Sequence, residues 1–163
     1  NDSLLNIKGK DKEGKWFSTG THQQKYLDER ERGDWRSYFQ ICVKIANTAA
    51  KRGVGLAGAD PLKGVDGMLF YSGEPMTGEF WMKDVKIPLD IHFFTLKGAP
   101  INTENAVPCT ATDDTKCERY KAAAPYGYAL EVEPSTSKKL KLTDSTLSSI
   151  LEHCPGAQTT QKP

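Results

Sequence analysis

The segment FWMKDVKIPLDI, residues 80–91, decides the fold because it contains two strand-like stretches joined by a short polar link. Apolar side chains recur over 80–83 and again over 89–96 in the manner of β-strands. Pro88 stands at the start of the second stretch, where its missing N–H removes no central hydrogen bond of a sheet. This segment therefore predicts two short β-strands.

The flanking sequence contains further strand patterns and a few short helix patterns. We predict strands over 39–46, 68–71, 101–107 and 127–132, with a hairpin turn at Lys97-Gly98. We predict helices over 49–52, capped by Asn47 or Thr48, over 134–140, and over 144–153, capped by Asp144. Many short strands with two or three short helices indicate an α+β fold, predominantly antiparallel β, as a compact sheet or a barrel-like structure.

The size and charge of the chain exclude several classes of protein. It has 163 residues and a mass of 18.0 kDa, which is the size of one domain. Its 22 Lys and Arg and 21 Asp and Glu leave a formal net charge of +1, so we expect no charge-driven partner such as duplex DNA or an anionic membrane. No apolar stretch approaches the roughly 20 residues of a membrane span, and no basic stripe interleaved with aromatic residues indicates single-stranded nucleic acid. We therefore expect a soluble, folded protein.

Residues 1–37 differ in composition from the rest of the chain. They are polar, and between residues 25 and 32 opposite charges alternate, as they do on a solvated helix face. A docking arm, anchored by Trp16-Phe17 and Trp35, is the alternative interpretation. We therefore predict an N-terminal extension over 1–37, a single β-rich domain over 38–154 and a flexible tail over 155–163.

The four cysteines, Cys42, Cys109, Cys117 and Cys154, show no C-x-x-C spacing, which argues against zinc and against a thioredoxin-type redox centre. Four cysteines allow three pairings, of which we favour Cys109–Cys117, closing a short loop, together with Cys42–Cys154. The even count, and a sequence that begins at Asn1 without an initiator methionine, favour an exported protein with disulfides. Four reduced thiols in a cytoplasmic protein are the alternative.

Several motifs stand in a distinctive order around the opening segment. They are GMLF at 67–70, FWMKD at 80–84 and IPLDI at 87–91, with KRGVGL at 51–56 before them and Pro108-Cys109, Cys117, Tyr120 and LEV at 130–132 after them. Over residues 39 to about 142 this pattern resembles the family called domain of unknown function 192. The sequence departs from the family pattern at Ala57, at Asp84-Val85 and at 143–145, where the family usually has Met, Asn-Thr and Pro-Gly-Asp. The resemblance implies a small β-rich domain, frequently exported, with no established reaction or ligand.

Trp81 and Lys83 share one face of the strand predicted over 80–83. An indole ring beside an ammonium group is typical of a wall that binds a sugar or an aromatic ring. We therefore predict a ligand-binding surface formed by Trp81, Lys83, Asp90 and Arg52. The structural alternative is that Trp81 packs under a loop, Lys83 extends into water, and Asp90 and Arg52 form a partly buried ion pair.

The sequence contains little that predicts catalysis or a cofactor. His22, His92 and His153 have no metal-ligand spacing, and a lone histidine in mid-strand, such as His92, is more often hydrogen-bonded than catalytic. Cysteines held in disulfides offer no nucleophile, and phosphate-binding glycine motifs are absent. Asp84 and Asp90 are the nearest approach to a catalytic carboxylate pair. We therefore predict neither a metal nor another cofactor.

Together these features favour an exported, non-enzymatic binding module for an unidentified small ligand. The first alternative is an accessory or structural subunit of a larger extracellular or virion-like assembly, docked through residues 1–37. A weaker alternative is a small hydrolase that uses Asp84 or Asp90 as its base.

Overall fold

The computed structural model describes residues 2–10, 16–19, 22–29, 34–58, 62–151 and 154. These residues form nine β-strands, two α-helices and two 3-10 turns. The strands are β1 (Asp2–Lys10), β2 (Trp16–Thr19), β3 (His22–Glu29), β4 (Asp34–Ala46), β5 (Gly67–Met76), β6 (Leu89–Phe94), β7 (Pro100–Ala106), β8 (Tyr126–Val132) and β9 (Thr146–Leu151). The helices are α1 (Ala49–Val54) and α2 (Pro134–Leu140), and the 3-10 turns are Asp114–Lys116 and Leu142–Asp144.

All nine described strands belong to one mixed sheet in which antiparallel pairing predominates. The strand order is β2-β3-β4-β5-β8-β6-β7, and β1 pairs with both β4 and β9. β4 and β5 run parallel, whereas the other described pairs run antiparallel. Because the path from β2 to β7 does not close on itself, the sheet is open and not a barrel. The predicted α+β fold with predominantly antiparallel strands is confirmed.

The central strands β5, β8 and β6 bury a separate apolar cluster on each face. Met68 of β5, Glu131 of β8 and Ile91 of β6 lie opposite one another in one row across the strands. In the next row, Leu130 and His92 point to the other side, because successive side chains alternate along a strand. We call the side of Glu131 the pocket face and the side of His92, which is covered by α2, the helix face.

Two glycines are needed for this arrangement. At Gly67, where β5 begins, a Cβ atom would lie 2.8 Å from Cγ1 of Val132, so only glycine allows β5 to approach β8 this closely. Gly98 turns the hairpin between β6 and β7 with a φ of +86°, a conformation that glycine adopts at no steric cost. The hairpin predicted at Lys97-Gly98 is therefore confirmed.

Most of the locally predicted elements are confirmed. Strands occur at the positions predicted over 39–46, 68–71, 89–96, 101–107 and 127–132. The backbone N–H of Lys51 donates to Oγ1 of Thr48 across 3.2 Å, so Thr48 caps α1. Helix α2 has Pro134 in its first turn, where the missing N–H has no intrahelical partner to lose.

Three predicted elements are wrong. The segment over 80–83 is not a strand, because it makes a single antiparallel bridge from Phe80 to Tyr120 before the chain turns at Asp84. The helix predicted over 144–153 is replaced by β9, whose pairing with β1 outweighs the local capping signal at its start. The helix predicted between residues 25 and 32 is replaced over residues 25–29 by β3, which pairs with β2 and β4.

The N-terminal residues extend the sheet that the rest of the chain forms. Strands β1 and β3 both pair with β4, and β2 pairs with β3. The two predicted anchors lie in strands, Trp16-Phe17 in β2 and Trp35 in β4. A docking role for residues 1–37 stays a prediction, and the tail predicted over 155–163 lies outside the described residues.

Both favoured disulfides are present. Cys42 of β4 is bonded to Cys154 beyond β9, and Cys109 is bonded to Cys117 in the connection between β7 and β8. Because disulfides form and persist in oxidising compartments, these bonds indicate a non-cytoplasmic environment. Among the described residues, no helix has the length and apolar character that a membrane crossing requires.

Candidate functional site

A cavity of about 810 Å³ opens on the pocket face of the sheet, and we call it the Trp81 pocket. α1 and the turn after it form one side, the end of β5 and the segment that follows it form another, and β8 contributes the floor. Its larger lining side chains are Arg52, Leu56, Phe70, Met76, Glu79, Phe80, Trp81, Lys83, Asp84, Val85, Arg119, Tyr126 and Glu131. The volume lies within the roughly 300–1,000 Å³ of small-molecule sites.

Backbone hydrogen bonds hold the segment between β5 and β6 in place beside the pocket. Phe80 and Tyr120 exchange two backbone hydrogen bonds, of 2.7 and 2.8 Å. The chain then turns, with the N–H of Val85 donating to the carbonyl of Met82 across 3.2 Å and Asp84 at a φ of +59°. The turn brings Trp81 and Lys83 to the pocket, whereas Met82 is buried in the apolar cluster on the pocket face of the sheet.

An aromatic cluster forms the apolar wall of the pocket. The ring centres of Phe70 and Phe80 lie 5.0 Å apart at 88°, and those of Phe93 and Tyr126 lie 4.9 Å apart at 62°. Such edge-to-face contacts are favourable because the positive edge of one ring meets the negative face of the other. The hydroxyl of Tyr126 donates to the carbonyl of Gly78 across 2.9 Å, and burial raises the pKa of Tyr126 to about 12. The tyrosine thus stays neutral and ties the covering segment to β8.

The mouth of the pocket combines the indole ring of Trp81 with two cationic side chains. The guanidinium carbon of Arg119 lies 4.0 Å from the ring centre, and Nζ of Lys83 lies 5.5 Å from it. Both distances are within the range of cation–π attraction. Lys83 also forms a 2.8 Å ion pair with Asp114, and the hydrogen bond that Lys83 donates to this carboxylate holds the pKa of Lys83 above its ordinary value. The predicted proximity of Trp81 and Lys83 is therefore observed, although a turn and not a strand produces it.

The four residues of the predicted ligand surface do not all meet. Arg52 lines the Trp81 pocket together with Trp81 and Lys83, and its Nη1 donates to the carbonyl of Tyr71 across 3.0 Å. Asp90 does not line the pocket; it is buried and accepts a 2.8 Å hydrogen bond from Nδ2 of Asn105. The ion pair considered between Arg52 and Asp90 is therefore absent from the structure.

Glu131 is the residue of this site that the sequence reasoning missed. It lines the pocket with only 4% of its surface exposed, and its neighbours across the strands are the buried side chains of Met68 and Ile91. Burial among apolar side chains raises the pKa of Glu131 to about 8. One signal in the sequence was available: alternation along β8 places Glu131 on the same side as Ala129, where a charged residue is unusual.

His92 lies on the helix face and is fully engaged. Its Nε2 lies 2.7 Å from Oγ of Ser137, and its Nδ1 lies 2.8 Å from Oγ1 of Thr103. Burial lowers the pKa of His92 to about 4, against a smaller opposing effect of Asp90. The ring is therefore a neutral structural link between β6, β7 and α2.

The remaining candidates for catalysis or metal binding are not brought together. Asp84 lines the Trp81 pocket but Asp90 does not, so the carboxylate pair considered for a hydrolase does not share a site. The described part of the chain contains no group of three or more His, Cys, Asp or Glu side chains placed to hold a metal ion. His22 lies in β3, and His153 lies outside the described residues.

Comparison with known proteins places the chain in a family whose activity is not established. Residues 31–148 match the family model of domain of unknown function 192, described as "Uncharacterized ACR". A comparison with curated proteins finds no match. Among solved structures, a protein of unknown function from Novosphingobium aromaticivorans is similar at 26% identity, with a TM-score of 0.53 over 68% of this chain and 77% of the other.

A putative transcription regulator from Sinorhizobium meliloti is also similar, with a TM-score of 0.60 at 22% identity over 89% of this chain and 92% of the other. At this identity the likeness concerns the fold alone. The family match covers well over half of the chain and includes every strand that forms the Trp81 pocket. The chain therefore belongs to the domain of unknown function 192 family.

Proposed function

We propose that the protein is an exported, non-enzymatic binding module that takes a small ring-shaped ligand into the Trp81 pocket. One observation carries the proposal: an indole ring and two cationic side chains stand together at the mouth of a cavity of ligand size. A flat ring in the cavity can contact the indole of Trp81, while Lys83 and Arg119 donate hydrogen bonds to its substituents.

The chemistry of the lining supports binding more than catalysis. The described side chains around the pocket include no histidine, cysteine or serine, which are the usual nucleophiles and bases of covalent catalysis. All four cysteines are held in disulfides, and His92 is buried on the opposite face of the sheet. Export is supported by the same two disulfides, because secreted proteins retain such bonds.

Replacement of the indole tests the proposal. We expect Trp81→Ala to weaken binding of a ring-shaped ligand about tenfold or more, since the contact area of the ring is lost with its cation–π neighbours. The probes are simple pyranoses and aromatic acids, and binding is followed by NMR titration of the oxidised protein. Val107→Ala is the matched control, because Val107 is an exposed apolar side chain that does not line the pocket. Equal affinities in Trp81→Ala and the parent protein would contradict the proposal.

An accessory subunit of a larger extracellular or virion-like assembly is the second candidate. It is favoured by the position of β2, which pairs with β3 alone among the described strands and so ends the strand order, where an edge can pair with another chain. Native mass spectrometry of unreduced protein from its source separates the two candidates. A single chain with a small adduct supports the binding module, whereas recovery only within a large particle supports the subunit.

A further inference from the structure

Glu131 has a buried carboxyl group for which the described residues provide no hydrogen-bond partner. Within the part of the chain that the structure describes, its side chain has neither a hydrogen-bond partner nor an ion-pair partner. Buried polar groups are nearly always paired, and exceptions are concentrated where a water or a ligand completes the bonding. Since Glu131 lines the Trp81 pocket, a water or a ligand in the pocket can supply the missing partner.

The three cationic side chains that line the pocket with Glu131 have other contacts. Arg52 donates to the carbonyl of Tyr71, Lys83 pairs with Asp114, and Arg119 lies over the ring of Trp81. The titratable groups that line the pocket or share its row across the strands are Arg52, Lys83, Arg119, Glu79, Asp84 and Tyr126, with Lys44 beyond Met68 and Glu104 beyond Ile91. Desolvation is the cause that raises the pKa of Glu131, and no cation offsets it.

Glu131 is therefore a neutral carboxylic acid near pH 7, with one O–H to donate and a carbonyl oxygen to accept. Besides Glu131, three cationic side chains and two carboxylates line the pocket, and Asp114 pairs with one of the cations, Lys83, so these charges balance while Glu131 is protonated. Because a hydrogen bond to an ionised acceptor is stronger than one to a neutral acceptor, the best partner for the O–H of Glu131 is an anionic oxygen of the ligand. A cationic ligand would meet the positive side chains at the mouth and would have to remove the proton from Glu131.

We propose that Glu131 determines the specificity of the Trp81 pocket and that the preferred ligand is a six-membered ring carrying a carboxylate, whose oxygen accepts the hydrogen bond from Glu131. The inference rests on the proposed function, because it names the class of ligand for the same pocket. Two kinds of ring have this chemistry, namely a sugar acid and an aromatic acid.

Matched probes test the charge and the type of the ring separately. At pH 6, D-glucuronate, D-glucose and D-glucosamine have similar pyranose rings with negative, neutral and positive charge, and benzoate presents the carboxylate on an aromatic ring. Each is titrated into the full oxidised chain at pH 6 and at pH 9, with binding followed by NMR. The proteins compared are the parent, Glu131→Gln, Trp81→Ala and the control Glu133→Gln, which alters an exposed carboxylate next to the same strand.

At pH 6 we expect D-glucuronate or benzoate to bind more tightly than D-glucose, and D-glucosamine to bind most weakly. Between pH 6 and pH 9 the affinity of the parent for the carboxylate ligand falls about tenfold, because only the protonated fraction of Glu131 donates to it. In Glu131→Gln the same change of pH alters the affinity less than about twofold, since the amide does not titrate. Glu133→Gln retains the pH dependence of the parent.

The outcomes that overturn the inference differ from those that overturn the proposed function. Tightest binding of D-glucosamine, or an affinity that rises with pH, shows that Glu131 pairs with a cation and overturns the inference. A pH dependence that persists in Glu131→Gln assigns it to another group and also overturns it. Binding that needs Trp81 but ignores ligand charge overturns the inference and leaves the proposed function standing. If no ring binds in a manner that needs Trp81, both fail.

Discussion

His92 and Glu131 are both buried titratable residues of the central strands, on opposite faces of the sheet, but only His92 has its hydrogen bonds completed by the protein. Ser137 and Thr103 occupy the two ring nitrogens of His92, whereas the carboxyl group of Glu131 has no partner among the described residues and faces the Trp81 pocket. The helix face is thus complete as folded. On the pocket face, the carboxyl group of Glu131 can still form hydrogen bonds. A buried group without partners lowers the stability of the protein but is available to bind a ligand.

The largest expected effect is on the pH dependence of the free energy of unfolding, and it tests the contrast between Glu131 and His92. The folded pKa of Glu131, about 8, lies above its ordinary value of 4.5, so folding favours the protonated form. This contribution is complete below pH 4.5 and is lost as the pH rises to 8, which amounts to about 5 kcal/mol over the shift. Glu131→Gln should remove this loss.

Urea unfolding of the parent and of Glu131→Gln between pH 4 and pH 9 measures the difference. We expect the free energy of unfolding of the parent to fall relative to the variant as the pH rises, with the two curves parallel above about pH 9. Parallel curves across the whole range would mean that Glu131 titrates at its ordinary pKa and is not isolated from water.

The second effect has the opposite sign and belongs to His92. Its folded pKa, about 4, lies below its ordinary value of 6.5, so folding favours the neutral ring. The stability it contributes is complete above pH 6.5 and is lost as the pH falls to 4, about 3 kcal/mol in all. Because Glu131 opposes this trend above pH 4.5, the measurement uses Glu131→Gln as its background.

NMR of the imidazole ring provides the direct check. The Cε1 proton of His92 should keep the chemical shift of a neutral ring down to about pH 5 and titrate near pH 4. A midpoint close to the ordinary value of 6.5 would show that water reaches the ring, and the contrast between the two faces would be lost.

The smallest of the three effects is the loss of stability when the hydrogen bond between His92 and Ser137 is removed at constant pH. Ser137→Ala leaves Nε2 of the buried ring without its partner and should lower the free energy of unfolding by about 1–3 kcal/mol. Ser135→Ala, on the exposed side of the same helix α2, is the control and should change it by less than about 0.5 kcal/mol. Equal effects of the two substitutions would show that the hydrogen bond to Ser137 contributes little.

The fold was largely predictable because its central strands have strong local patterns. The strands β6 and β8 and the helix α2 appear where alternation and the position of Pro134 indicate them. Two of the three wrong elements have a common cause. At 80–83 the local pattern indicates a strand and at 144–153 it indicates the start of a helix, but the turn at Asp84 and the distant partner of β9 decided the conformation.

The site was predictable only in part, for a related reason. Trp81 and Lys83 are neighbours in the sequence, and their side chains lie near each other whether a strand or a turn connects them. Asp90 was predicted to face the ligand, but its side chain accepts a hydrogen bond from Asn105. Because Asn105 belongs to another strand, this partner cannot be inferred from local sequence. Glu131 was missed because a glutamate in a strand usually faces water, and its burial depends on residues supplied by β5 and β6.

The bond between Cys42 and Cys154 also has a mechanical consequence. The two cysteines are 112 positions apart, and β5, β8 and β6, with the whole Trp81 pocket, lie between them in the chain. A pulling force applied to the chain outside the two cysteines passes directly through the sulfur bridge and bypasses those strands. Under tension the flanking segments should extend while the pocket keeps its shape, until a reductant opens the bridge and the force reaches the sheet.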